Sequence, residues 1–89
     1  MPYTLPLSVG LKRARWKVKI HENERLEPPH ITIYKKNRTW RYSLRDKEFL
    51  DNGDSWKQID NGVKDVIQNR DNWECFKKEW NKMHPGNPV

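Results

Sequence analysis

In the stretch RWKVKIH, residues 15–21, Trp16, Val18 and Ile20 alternate with Arg15, Lys17, Lys19 and His21. A period of two is that of a strand with one face buried. HITIYKK (30–36) and TWRYSLR (39–45) repeat it. Asn37-Arg38 lies between them, and Asn tolerates the left-handed backbone of a tight hairpin turn. A two-residue turn there predicts Ile31 opposite Leu44, Ile33 opposite Tyr42 and Lys35 opposite Trp40. On the other face it predicts His30 with Arg45, Thr32 with Ser43 and Tyr34 with Arg41. One face then carries Trp16, Val18, Ile20, Ile31, Ile33, Trp40, Tyr42 and Leu44. The other carries Lys17, Lys19, His21, His30, Tyr34, Arg41 and Arg45. A one-residue slip would mix the two sets, so the pattern favours this sorting.

Beyond residue 54 the period changes. SWKQ (55–58) has the Ser-x-x-Gln form of a helix capping box. Trp56, Ile59, Val63, Val66 and Ile67 follow at helical spacing, with Gly62 as a weak point. NRDN (69–72) offers new caps, including an Asp71-x-x-Glu74 box, and predicts a break or kink. Trp73, Phe76, Trp80 and Met83 form a second stripe, which His84-Pro85-Gly86 ends. Pro2, Pro6 and Gly10 make residues 1–11 an extended lead-in. ENERLEPP (22–29) reads as a polar loop, and Phe49-Leu50 as a short fourth strand or a plug. The expected fold is a single α+β domain over 1–89. Its sheet of three or four antiparallel strands spans 12–50. One kinked helix or two, within 55–83, cover one face, and 84–89 form a tail.

Composition sharpens this picture. Hydrophobic residues make up 34% of the 89 and charged residues another 34%, a polar balance for a chain with so thin a core. The five Trp, at 16, 40, 56, 73 and 80, supply the bulk that a small core needs. The net charge of +6 is unevenly placed. Residues 1–45 carry eleven Lys/Arg against three Glu, a net of +8, and residues 46–89 carry seven against nine acids, a net of −2. With helices on the apolar face, the basic face stays open, and such a surface suits nucleic acid or another polyanion. A solvated face that merely resists aggregation is the plain alternative.

Candidate chemistry follows from the same faces. Lys17, Lys19, Arg41 and Arg45 are candidate phosphate contacts, and Tyr34 a candidate stacking residue. His21 and His30 fall at one end of the sheet. The two together, or one of them beside Arg45, could run general acid–base cleavage of a phosphodiester without a metal. A metal set of His21, His30 and Glu22, Glu24 or Glu27 has no recognised spacing, and no cofactor is implied. The single cysteine, Cys75, lies between Trp73 and Phe76 and reads as packing. No glycine-rich phosphate loop and no Gly-x-Ser-x-Gly elbow occur. MPYTLPLSVGLKRAR lacks the apolar run of a signal peptide, and no segment approaches about 20 apolar residues, so no membrane partner and a cytoplasmic location are expected.

Pro28-Pro29-His30 leading into a strand, with NRDNWECFKKEW in the final helical part, resembles a family of short bacterial proteins of unknown function. Its members carry a Pro-Pro-His-Phe-His strand, a hairpin and a final Arg-Asp followed by Trp. They are often encoded beside small partner genes in toxin–antitoxin-like pairs. The resemblance covers roughly residues 16–82, with Ile31-Thr32 where the family commonly has Phe-His. The chain is more loosely similar to the HicA-type mRNA interferase toxins, which place one catalytic His on a small sheet. That resemblance implies the role for His30, with Pro28-Pro29 where Gly-Ser is expected. The resulting expectation is a small basic RNA- or DNA-binding protein of toxin–antitoxin type, with RNA cleavage as one form of it. The alternative is a non-enzymatic module that docks a small acidic protein.

Overall fold

The computed structural model describes residues 3–21 and 28–89. Most of the expected polar loop, with Glu22, Glu24 and Glu27, lies outside the described residues. The described chain folds as α+β: a four-stranded antiparallel sheet in the order β1-β2-β3-β4, followed by helices. The strands are β1 (Tyr3–Thr4), β2 (Trp16–Ile20), β3 (His30–Lys35) and β4 (Arg38–Ser43). Helix α1 (Val9–Arg13) precedes β2. A 3-10 turn (Trp56–Gln58), α2 (Asn61–Gln68) and α3 (Arg70–Met83) follow β4. Among the described residues no helix is long and apolar enough to cross a membrane.

The N-terminal segment is not the extended lead-in its prolines suggest. Tyr3 and Thr4 pair with Ile20 and Lys19, and Leu5 N–H bonds to Val18 O at 2.9 Å. Leu5 and Leu7 join the core. This is the fourth strand, whereas Phe49 forms only an isolated bridge with Tyr42. A two-residue strand is too short to show a period, so pattern alone misses it.

The β3–β4 register also differs from the expected one. Ile31 faces Tyr42, Ile33 faces Trp40 and Lys35 faces Arg38, while His30 faces Ser43, Thr32 faces Arg41 and Tyr34 faces Thr39. The turn is Lys36-Asn37, with Lys36 rather than Asn37 in the left-handed region at φ 54°. The shift is two residues, one full period, so the alternation of apolar and polar positions along both strands is unchanged. Hydrophobic sorting therefore cannot tell the two registers apart.

The apolar face packs as its composition requires. Val18, Ile20, Ile31 and Ile33 of the sheet are fully buried, as are Val63 and Ile67 of α2 and Phe76 and Trp80 of α3. Trp16 and Trp40 stack with centroids 5.7 Å apart. The Trp40 indole N–H donates to Gln58 Oε1 at 2.9 Å, and the same oxygen accepts from Ser55 N–H at 3.2 Å. The capping residues thus hold the 3-10 turn over β4 instead of starting a long helix. The break lies at Asn69, whose side chain accepts from Asp71 and Asn72 N–H and caps α3. Gly62 sits where α1 approaches α2: a Cβ there would come 3.0 Å from Asp60 Oδ1 and 3.5 Å from Leu11 Cδ2.

Two phenols are bound into this core. Tyr3 meets the Phe76 ring edge-on, with its Oη 3.3 Å from Cys75 Sγ. Burial, with Cys75 alongside, pushes Tyr3 up to about 12. Burial also raises Tyr42, whose O–H donates to Lys47 O at 2.8 Å. Both are acids whose neutral form the fold favours. The Tyr3 contribution to stability is complete below the ordinary tyrosine range near 10 and is lost as pH rises toward about 12, and that of Tyr42 is lost in the same direction. For half-buried Tyr3 the loss should be about 1–2 kcal/mol after allowing for solvent screening. Urea unfolding between pH 9 and 12 should show it, and Tyr3→Phe should flatten that decline. An equally steep decline in Tyr3→Phe would assign it to other groups.

Candidate nucleic-acid interface

The helices cover one face of the sheet and leave the other open. There, Lys12, Arg15, Lys17, Lys19, Tyr34 and Lys36 line a concave groove of about 540 Å³. Lys17 and Lys19 project from β2 between the buried Trp16, Val18 and Ile20, as strand alternation dictates. Tyr34 lies opposite Lys17, and Thr32 opposite Lys19. Lys12 comes from α1, Arg15 from the residue just before β2, and Lys36 from the hairpin turn.

The described cations divide by surroundings. Lys35 Nζ lies over the Trp16 ring at 4.9 Å, the Arg38 guanidinium over Trp40 at 5.1 Å and Lys47 Nζ over Trp73 at 5.6 Å. Arg41 grips Asp51 with two bonds, Nη2 to Oδ1 at 2.8 Å and Nε to Oδ2 at 3.2 Å. The hydrogen bond from Arg41 holds the Asp51 carboxyl below its usual range. Among the described residues, no ion pair engages Lys12, Arg15, Lys17, Lys19 or Lys36. These five cations share one concavity, so their fields add there.

The expected site residues separate accordingly. Lys17, Lys19 and Tyr34 come together in the groove. Arg41 shares their side of the sheet but is matched to Asp51. Arg45 lies beyond the end of β4, where the chain turns and strand alternation stops. Its Nη2 donates to Asn87 Oδ1 at 3.3 Å and to Pro88 O, which ties the tail down. Arg45 is therefore not a groove residue.

The two imidazoles also part company. His21 Nε2 is hydrogen-bonded to Tyr34 Oη, with the rings edge to face. In this register the bond runs diagonally past the Lys19–Thr32 pair, and Thr32 beneath it is only 6% exposed. His30 is 1% exposed and does not reach the open face. It begins β3 directly after the Pro28-Pro29 bend. Its Nδ1 bonds to Pro28 O at 2.8 Å, and its ring packs 5.6 Å from Trp80. The expectation that both imidazoles stand on the exposed basic face fails for His30, whose ring is buried against Trp80 and bonded to Pro28 O.

Lys12, Arg15 and Lys36 are groove residues absent from the sequence-based set. Arg15 was visible as the next member of the Arg15-Lys17-Lys19 alternation. Lys36 shares the parity of Tyr34. Lys12 had no such signal, because α1 is short and carries no buried residue. No protein-family model, curated protein or solved structure matches this chain.

Proposed function

We propose that the protein binds RNA or DNA through the open face of its sheet, chiefly by the phosphate backbone. The observation that carries this reading is one groove lined by Tyr34 and five cations that no ion pair engages among the described residues. Phosphate contacts of this kind supply affinity without sequence discrimination. Half-buried Tyr34 gives the groove an aromatic floor against which an unpaired base can rest. Cleavage is not part of this reading, since His30 is enclosed beneath Trp80. A toxin–antitoxin setting enters only through the resemblance of Pro28-Pro29-His30 and the final helical part.

Fluorescence anisotropy of a short labelled polyuridine strand tests the reading. Binding should be evident at low salt and fall linearly with log salt. If all five groove cations are engaged, the slope for a single strand should approach about −3.5. Absence of binding at low salt to both polyuridine and duplex DNA would reject the proposal. Binding to polyglutamate alone would instead support docking of an acidic protein.

A further inference from the structure

Two groove residues hold a backbone conformation that side chains disfavour. Arg15 has φ 69° and Lys36 has φ 54°. Both positions are ones where glycine is the usual choice. Arg15 follows Ala14, the C-cap of α1, with its N–H bonded to Lys12 O at 3.0 Å. Lys36 opens the two-residue β3–β4 turn. The β2–β3 ladder ends at the Trp16–Lys35 pair, and Arg15 and Lys36 follow directly beyond that end and line the same groove. Like charges gathered in one concavity repel each other. Two cations thus stand together where both backbone and Coulomb terms oppose them. Strain retained at such positions is a pointer to function.

Resting on the nucleic-acid reading above, we propose that Arg15 and Lys36 form a clamp for one backbone phosphate at this end of the groove. An anion seated between them turns their mutual repulsion into a shared attraction. Arg15 can meet two phosphate oxygens with its planar fork, while Lys36 supplies a point charge. Their charges are kept at the expense of folding stability.

Lys47 provides an internal comparison. It is also left-handed, at φ 53°, but its Nζ rests near Trp73, outside the groove. Arg15→Gly, Lys36→Gly and Lys47→Gly therefore each relieve one left-handed side chain and remove one charge. Melting temperatures and polyuridine anisotropy should be measured for all three, beside Lys17→Gln, which removes charge without changing the backbone. Arg15→Gly and Lys36→Gly should raise the melting temperature by about 2–5 °C. Each should weaken binding on the order of 5- to 10-fold at low salt and reduce the salt slope by about 0.7. Lys47→Gly should leave affinity within about twofold, and Lys17→Gln should weaken binding with no rise in melting temperature.

If Arg15→Gly and Lys36→Gly bind like Lys47→Gly while Lys17→Gln weakens binding, the clamp is overturned and the interface stands. A fall in melting temperature for both glycine variants would overturn the claimed stability cost. If wild type binds no nucleic acid, the clamp falls together with the functional reading.

Discussion

Replacing Trp80 by Ala should lower the unfolding free energy by about 3–5 kcal/mol. Trp80 is 0% exposed and central to the contact between α3 and the sheet. His84 stacks on it with centroids 3.9 Å apart, and His30 lies against it from β3. Its indole N–H donates to Asn87 O at 2.7 Å, which folds the C-terminal tail back onto α3. Truncation would leave a large cavity and remove that bond to the tail. It would also loosen the tail segment that Arg45 and Asn81 hold, the latter through Asn81 Oδ1 accepting from Val89 N–H at 2.6 Å. Domains of this size have roughly 5–15 kcal/mol in all, so much of the stability would be lost. Trp80→Phe keeps most of the apolar volume and loses the indole donor. It should cost clearly less, about 1–2 kcal/mol. Guanidinium unfolding followed by far-UV circular dichroism measures both. A cost under about 1 kcal/mol for Trp80→Ala would contradict its place in the core.

Reversing the charge of Lys17 and Lys19 together should lower RNA affinity by at least about a hundredfold at low salt. Each change removes an attraction and adds a repulsion, so four units of charge are altered along one strand. Both residues alternate with buried Trp16, Val18 and Ile20, so the substitutions leave the apolar face untouched. The melting temperature of the Lys17→Glu/Lys19→Glu protein should stay close to that of wild type. Arg41→Ala makes the informative contrast, because its guanidinium is already matched by Asp51. It should disturb the 51–54 turn and leave polyuridine binding nearly unchanged. Equal losses in the two proteins would mean that overall charge, rather than the groove, governs binding. That outcome would remove the main support for the interface.

Much of the architecture was legible because periodicity reports burial directly. Val18, Ile31 and Ile33 could not alternate with polar neighbours in this way on a helix, and the change of period after residue 54 marks where helices begin. Asn69 lies inside the NRDN stretch expected to interrupt them, and it does so because an Asn side chain can satisfy two N–H groups at the start of α3. Register was not legible. A shift of two residues leaves the alternation along both strands unchanged, and only the local choice of Lys36 as the left-handed residue separates one hairpin from the other.

The candidate site was half legible for related reasons. Lys17, Lys19 and Tyr34 could be assigned to one open face by counting along strands. Counting misplaced Arg45, because strand parity holds only inside a strand, and it could not foresee that His30, the first residue of β3, is buried. His30 sits at the Pro28-Pro29 bend and turns beneath Trp80, and Arg45 lies past the end of β4 against the tail. Arg41 was correctly faced, but its neutralisation by Asp51 depends on a turn that returns ten residues later. The amino-acid sequence by itself determined which side chains are apolar, which are basic and which alternate. Those properties are local, and they suffice for a two-layer α+β fold with one basic face. The tertiary structure decided which cations find carboxylates or rings and which five come together in one groove. Pairing of charges depends on distances between segments remote in the chain, and no local period encodes those distances.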